Sequence, residues 1–242
     1  VADCSNEMPP KVKYSGVIVP QSDLRVGTTL GDNYNETVKI LQWNARGLSH
    51  AKKTELAKLL YKEDIDVFGI MEANISEDQK KFFNITGYAT YVLTKTRQIA
   101  SGIIVGVKHN LTTSFKITKN MNETDKIEIA KLDIWKNKEH FIIYFVYNPP
   151  NNSPDLNHIE ISHKTIVLGD FNAHSKSWGY ADTNATGKNI EEWLNTNRLE
   201  LIFDKEQEGT YIHHTGSTTN PDLLLVSSNI AYRTHRKISE SL

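Results

Sequence analysis

The sequence has one cysteine, Cys4, so it cannot form an internal disulfide, and no Cys/His spacing resembles a zinc site. No apolar run is long enough to span a bilayer. Neither sign of charge is in excess: 28 Lys and Arg against 29 Asp and Glu give a net charge of −1. That excludes a chain-wide basic field, so any nucleic-acid contact has to come from a local patch. There is no internal repeat and no low-complexity segment. The first residue is Val1 rather than Met, as expected of a fragment, and the lack of a targeting signal then carries no weight. Several Asn-x-Ser/Thr triplets occur, those at Asn84, Asn110, Asn122 and Asn184 among them, which chance alone provides in an Asn-rich chain.

What is present suits one large domain. The 242 residues include 38% hydrophobic ones without counting Gly, enough for an adequate core. Residues 1–36 mix Pro, Gly, Asn and charges, and the expectation is a poorly ordered N-terminal extension before a domain over 37–242. Val38–Trp43 alternates as a strand does, and Ser49 can cap a helix with Leu56, Leu59 and Leu60 on one face. Asp66–Met71 is the next buried strand, which gives an α/β opening. Tyr88–Leu93, Gly102–Lys108, Thr112–Ile117, Lys126–Trp135 and His140–Tyr147 follow with little helix between, an antiparallel sheet or meander. Ile166–Leu168 is a short buried strand. Beyond it Thr186 can cap a helix carrying Ile190, Trp193 and Leu194. Leu199–Phe203, Gly209–Ile212 and Asp222–Val226 are expected strands, with a last one from about Ala231. Many strands and about three helices favour two packed sheets with helices outside over an open doubly wound sheet.

Polar residues collect where the apolar runs stop: Asn44, Glu72, Tyr147 with Asn148, Asp170 with Asn172, and Asp222 before the last long run. Each alone has a plain explanation. Gly169-Asp170-Phe171-Asn172 reads as a strand stop and an Asx turn, and Glu72 as a solvated loop carboxylate. Taken as a set they have a chemistry. A carboxylate such as Glu72 is a hard oxygen ligand of the kind Mg²⁺ takes singly, and neutral amides at Asn44 and Asn172 suit phosphate oxygens.

Five segments carry a resemblance: Leu41-Gln-Trp-Asn-Ala-Arg-Gly47, Met71-Glu-Ala73, Val146-Tyr-Asn-Pro-Pro150, Leu168-Gly-Asp-Phe-Asn-Ala-His174 with Trp178-Gly179, and Asn220-Pro-Asp-Leu-Leu-Leu-Val226. In this order they resemble the endonuclease/exonuclease/phosphatase superfamily. More narrowly they resemble the apurinic-endonuclease-like domain of arthropod non-LTR (LINE-type) retrotransposons close to the jockey group, over about Val38 to Leu242. The resemblance implies an α/β (α+β) fold, a four-layer αββα sandwich of two packed, mostly antiparallel sheets flanked by helices. It implies Mg²⁺-dependent nicking of DNA (with Mn²⁺ as an alternative) that leaves a 3′-hydroxyl to prime a downstream reverse transcriptase domain. A monomeric domain acting in the nucleus, away from membranes, is the accompanying expectation.

By matching position, Glu72 is implied as the metal ligand with Asn44 beside it, Tyr147 as support for the transition-state phosphate, and Asp170 and Asn172 as the pair that positions water and phosphate. Asp222 matches the acid of a Ser/Thr-x-x-Asp motif headed by Thr219, and Thr210 a supporting residue on a DNA-facing hairpin; the nearby basic residues Arg46, Lys95 and Arg97 are candidates to supply phosphate affinity. His213–Thr219 is expected as that hairpin's tip, where it would help choose the nick site.

Two features depart from the pattern. The family's final Asp-His pair does not occur, and the expectation is that the chain stops a few residues before it and, lacking it, nicks DNA very weakly or not at all; His235 lies too early to replace it and is expected to face solvent or pack. The span from Tyr147 to Asp170 is short, leaving room for a helix only over about Ser153–Ser162. A catalytically inactive DNA-binding relative, a small-molecule or lipid phosphodiesterase and a general abasic-site endonuclease stay open as alternatives.

Overall fold

A computed structural model of the chain describes residues 13–20, 37–98, 100–206, 209–212 and 218–240. In chain order come β1 (Lys13–Pro20), β2 (Thr37–Asn44), α1 (His50–Lys62), β3 (Val67–Met71), α2 (Glu77–Lys80), β4 (Tyr88–Leu93) and β5 (Ile103–Lys108). They are followed by β6 (Thr112–Lys119), β7 (Glu128–Lys136), β8 (Glu139–Tyr147), β9 (Thr165–Asp170), α3 (Ala185–Thr196) and β10 (Leu199–Leu201). The last are β11 (Tyr211–Ile212), β12 (Thr218–Thr219), β13 (Asp222–Ser227), α4 (Ser228–Ala231) and β14 (His235–Glu240).

The strands form two six-stranded sheets, ordered β14-β1-β2-β3-β5-β4 and β10-β13-β9-β8-β7-β6, and β11 pairs with β12 as a small hairpin. Each large sheet has one parallel pair, β2 with β3 and β8 with β9, among antiparallel neighbours. The two parallel pairs decide where the polar strand ends go. Asn44 is level with Met71 at the carboxyl end of one pair, and Tyr147 is level with Asp170 at the carboxyl end of the other.

Apolar residues on alternate positions explain the layers. Ile40, Val67, Val105, Ile143, Phe145, Ile166, Leu168, Leu224 and Val226 pack between the sheets. Their neighbours Leu41, Phe68, Ile70 and Ile104 face outward beneath Leu56 and Leu60 of α1. On the far side Tyr144, Val146, Val167, Leu223 and Leu225 pack with Ile190 of α3, Trp178 and Phe171. The result is the αββα sandwich. Strands buried on both faces read as unbroken apolar runs, which is why Ile166–Leu168 and Leu223–Val226 stand out in the sequence.

Trp178 closes the outer layer of the second sheet. It is fully buried, and its indole N–H donates to the Ala173 carbonyl at 2.9 Å. Trp178→Ala removes both the packing and the anchor, and is expected to cost about 3–5 kcal/mol of stability in denaturant unfolding.

Several expectations need correction. Lys13–Pro20 is not part of a poorly ordered extension: its backbone pairs antiparallel with β2 on one side and β14 on the other. These pairings are long-range, and a strand interrupted by Gly16 and ended by Pro20 carries a weak local signal. The rest of 1–36 lies outside the described residues. The cap of α3 is Asn184, whose side chain accepts from the Gly187 N–H at 2.7 Å, and Thr186 lies inside the first turn. The supposed meander is divided: β4 and β5 join the first sheet, and β6, β7 and β8 form a true meander in the second. Between Tyr147 and Asp170 the expectation of a reduced helix within Ser153–Ser162 agrees with the structure: the helical element there among the described residues is a 3-10 turn over Leu156–His158. Ala231 ends α4, and the final strand starts at His235, whose side chain is exposed.

Candidate active site

At the carboxyl ends of the two parallel pairs the chain has to leave the ladder, and it does so through left-handed residues. Arg46 (φ 48°), Glu72 (φ 50°) and Asn172 (φ 46°) all adopt this region without being glycine. Such backbone costs on the order of 1–3 kcal/mol per residue and is tolerated where surrounding contacts hold it, commonly at functional sites. The holding groups are visible. Ser49 caps α1, and from that helix Lys52 Nζ donates to the carbonyls of Ala45 (2.6 Å) and Gly47 (3.2 Å), fixing the turn that carries Arg46. Gly169, with φ 151°, lies so close to β8 that a Cβ would overlap the Val146 carbonyl, and this approach seats Asp170 beside Tyr147.

The Asn44 amide lies at the centre. Its Nδ2 donates to Glu72 Oε1 at 2.9 Å and to Asp170 Oδ2 at 2.6 Å, joining carboxylates from different sheets. Its own Oδ1 accepts from the Arg46 N–H at 3.1 Å. Asp170 Oδ1 accepts from the Asn172 N–H at 3.0 Å, the expected Asx turn, while Asn172 Nδ2 donates to the Asn148 carbonyl at 2.9 Å. Asp222 pairs with Asp170 across the β9/β13 ladder, and its Oδ1 accepts from Gln42 Nε2 at 2.6 Å. Arg236 of β14 donates to the Asp222 carbonyl at 3.0 Å.

These groups surround a cleft of about 670 Å³ lined by Asn44, Arg46, Glu72, Asp170, Asn172, Thr210, Thr219 and Asp222. Arg46 lies over the Tyr211 ring at 4.3 Å, and the His174 ring stacks on Tyr180 at 4.2 Å. Tyr147 is fully buried behind the cleft. Its hydroxyl accepts from Arg97 Nη2 at 3.4 Å, and the Glu72 carboxylate is near enough to raise its pKa. Arg97, which is exposed, also donates from Nε and Nη2 to the Ala100 carbonyl. Pairing of β11 with β12 gives the expected hairpin, but His213–Ser217, which includes its tip, lies outside the described residues.

Burial and carboxylate crowding set the electrostatics. Burial first, then the charges of Asp222 and Glu72, raise the Asp170 carboxyl to about 8 against the pull of Asn44 and the Asn172 N–H. Burial also raises Asp222, partly offset by Thr210, Gln42 and the guanidiniums of Arg236 and Arg46. Thr210 is close enough to Asp222 to have this effect, but its Oγ1 is buried without a hydrogen bond of good geometry. Burial pushes the Tyr147 phenol far above its ordinary range, with Glu72 and Asp170 adding to the shift. Burial likewise raises Tyr180 to about 12.

A hard divalent cation fits this donor set. The side chains are oxygen donors, three carboxylates repel one another, and the charge that would relieve them is positive. No group of three or more His, Cys, Asp or Glu among the described residues could hold a metal by itself. Glu72, which lines the cleft, could serve as a single carboxylate ligand, an arrangement Mg²⁺ accepts with water and substrate oxygens completing its shell.

Sequence reasoning missed several neighbours. Gln42 precedes Asn44 by two on a strand, so period two places both on one face, a signal that was available. Glu128 opens a strand that also carries Lys131, Asp133 and Lys136, so its full burial is not legible from the sequence. Tyr211, Tyr180 and Arg236 carry no local signal.

The family model described as "Endonuclease-reverse transcriptase" matches residues 141–242. Among solved structures, the chain is similar to the endonuclease domain of TRAS1, a telomere-specific non-LTR retrotransposon: TM-score 0.58 at 15% identity, covering 79% of this chain and 86% of that one. It is also similar to the AP endonuclease LMAP from Leishmania major, with TM-score 0.61 at 16% identity and coverage of 81% and 80%. A third is an endonuclease/exonuclease/phosphatase family protein from Leptotrichia buccalis, with TM-score 0.55 at 14% identity and coverage of 78% and 87%. At these identities the likeness is one of fold. No curated protein matches the chain.

Proposed function

We propose that this domain is a Mg²⁺-dependent DNA endonuclease of the retrotransposon type. It would hydrolyse one phosphodiester and leave a 3′-hydroxyl from which a reverse transcriptase can extend. The observation that carries the reading is the Asn44 amide held between the Glu72 and Asp170 carboxylates at the junction of the two sheets. The fold shared with endonucleases and the family match over 141–242 support it.

The residues divide the work. Glu72 would hold Mg²⁺, which when bound offsets negative charge on the phosphate and the leaving oxygen. Tyr147 is fully buried behind the cleft and is anchored by Arg97, so it is assigned to supporting the floor beneath Glu72 and Asp170 rather than to direct contact with phosphate. Asp170 takes a proton from the attacking water, whose oxygen bonds phosphorus as the bond to O3′ breaks and O3′ gains a proton. Asn172 uses one amide hydrogen on Asn148 and has a second for a non-bridging phosphate oxygen. Arg46 contacts a neighbouring phosphate; Thr210 and Thr219, on the elements leading into Asp222, line the DNA side of the cleft. The partners are double-stranded DNA and a reverse transcriptase domain, and the place of action is the nucleus.

In a plasmid assay the domain carried through the family's Asp-His pair should convert supercoiled DNA to nicked circle in Mg²⁺, with Mn²⁺ substituting and EDTA stopping the reaction, and residues 1–242 by themselves should nick far more weakly. Conversion that continues at full rate in EDTA would rule out the metal-dependent reading.

A further inference from the structure

The mechanism uses Asp170 and Glu72 but leaves another buried carboxylate beside them without a task. Glu128 opens β7, is fully buried, and lies opposite Tyr147 in the β7/β8 ladder. A buried acid is expensive unless its environment repays it. Here it accepts from a backbone amide: Gly102 N–H donates to both carboxylate oxygens, at 2.8 Å and 3.1 Å. Burial raises this carboxyl to about 8 despite the Gly102 N–H and Arg97.

The amide it holds belongs to the other sheet and to a segment that clasps the Glu72 turn. The Gly102 carbonyl accepts from the Ala73 N–H at 3.0 Å, and the Ser101 carbonyl accepts from the Asn74 N–H at 3.0 Å. Ala73 follows Glu72, whose backbone is left-handed. Gly102 is itself left-handed (φ 88°), and a Cβ there would meet the Leu93 carbonyl at 2.9 Å. The same segment carries Arg97: the Ser101 hydroxyl oxygen accepts from the Thr96 N–H at 3.2 Å and the Arg97 N–H at 3.4 Å. Arg97 in turn reaches the Tyr147 hydroxyl.

We propose that Glu128 is a positioning residue for the metal-binding carboxylate. By gripping the Gly102 N–H from the second sheet, it seats the Gly102 carbonyl on Ala73 and so fixes the backbone from which Glu72 projects. This rests on the reading of Glu72 as the ligand of a divalent cation. A merely structural acid would support the whole domain; Glu128 supports one turn and the cation affinity that depends on it.

The test measures Mn²⁺ affinity of the whole chain by titration calorimetry and amide exchange at Ala73, with core amides such as Val167 as the global reference. Glu128→Gln keeps an acceptor for Gly102 and should bind Mn²⁺ within about twofold of the unsubstituted chain, whereas Glu128→Leu should bind at least about tenfold more weakly. Exchange at Ala73 should quicken by a similar factor in Glu128→Leu while Val167 remains protected. Gly102→Ala, which displaces the same amide from the other side, should reproduce both effects, and the double variant should be little worse than either single one. Glu72→Ala separates the two claims. If it leaves Mn²⁺ affinity unchanged, the metal assignment fails and Ala73 exchange alone decides the role of Glu128. Unchanged Ala73 exchange in folded Glu128→Leu overturns the inference, as does unchanged Mn²⁺ affinity where Glu72→Ala abolishes binding. Should Glu128→Leu lose protection everywhere, Gly102→Ala decides, and normal Ala73 exchange and Mn²⁺ affinity in that variant also overturn it.

Discussion

Asp170→Asn is expected to lower the nicking rate by roughly 1,000-fold, because the amide cannot take the proton from the attacking water. The same substitution should change how stability depends on pH. In the folded chain burial and the Asp222 charge hold the Asp170 carboxyl up to about 8, far above the ordinary carboxylate value of 3.8. A raised folded value means the folded state keeps a proton that the unfolded chain has released. The contribution is fully present below the unfolded value and is lost as pH rises through the folded one. Between about pH 5 and 8 the metal-free chain should therefore lose stability at up to about 1.4 kcal/mol per pH unit from this site. Asp170→Asn should flatten that part of the slope, measured by urea unfolding at a series of pH values in EDTA. An unchanged slope would mean the site keeps no such proton.

Asn44→Ala is expected to reduce nicking by about 100- to 1,000-fold, although Asn44 is neither acid, base nor charge. Its Nδ2 is shared by Glu72 Oε1 and Asp170 Oδ2, so its loss leaves two carboxylates facing each other without a donor between them. The Asn44 hydrogen bond also pulls the Asp170 carboxyl down. Removing it raises that group further, so the rise of rate with pH should move to higher pH in Asn44→Ala. A structural loss alone would lower the rate at every pH and leave the profile's shape unchanged. The pH–rate profile of kcat distinguishes the two.

The sequence makes the site more legible than the sheets that build it. Asn44, Glu72, Tyr147 and Asp170 each end an apolar run, and strands buried on both faces make such runs conspicuous. Their convergence is a property of topology: it needs β2 and β3, and β8 and β9, to be parallel, and no local pattern distinguishes parallel from antiparallel pairing. Strand β1 escapes notice for the same reason, since its partners are distant in sequence. The cap of α3 shows a different limit. Asn184 and Thr186 are both good caps, and Asn184 is the one whose oxygen also accepts from the His174 N–H at 3.1 Å, a tertiary contact. Glu128 was hidden because it is one of several charged residues in its strand, and its task depends on a distant glycine just before β5 of the other sheet.

The most direct measurement is the chemistry of the nicked end. Plasmid nicked in Mg²⁺ would be given to a DNA polymerase with labelled nucleotides, without prior phosphatase treatment. Immediate extension from the nick, together with a 5′-phosphate on the other side and loss of both in Asp170→Asn, is the predicted result. Ends that need a phosphatase before they can be extended, or nicking that proceeds undiminished in Asp170→Asn, would contradict it.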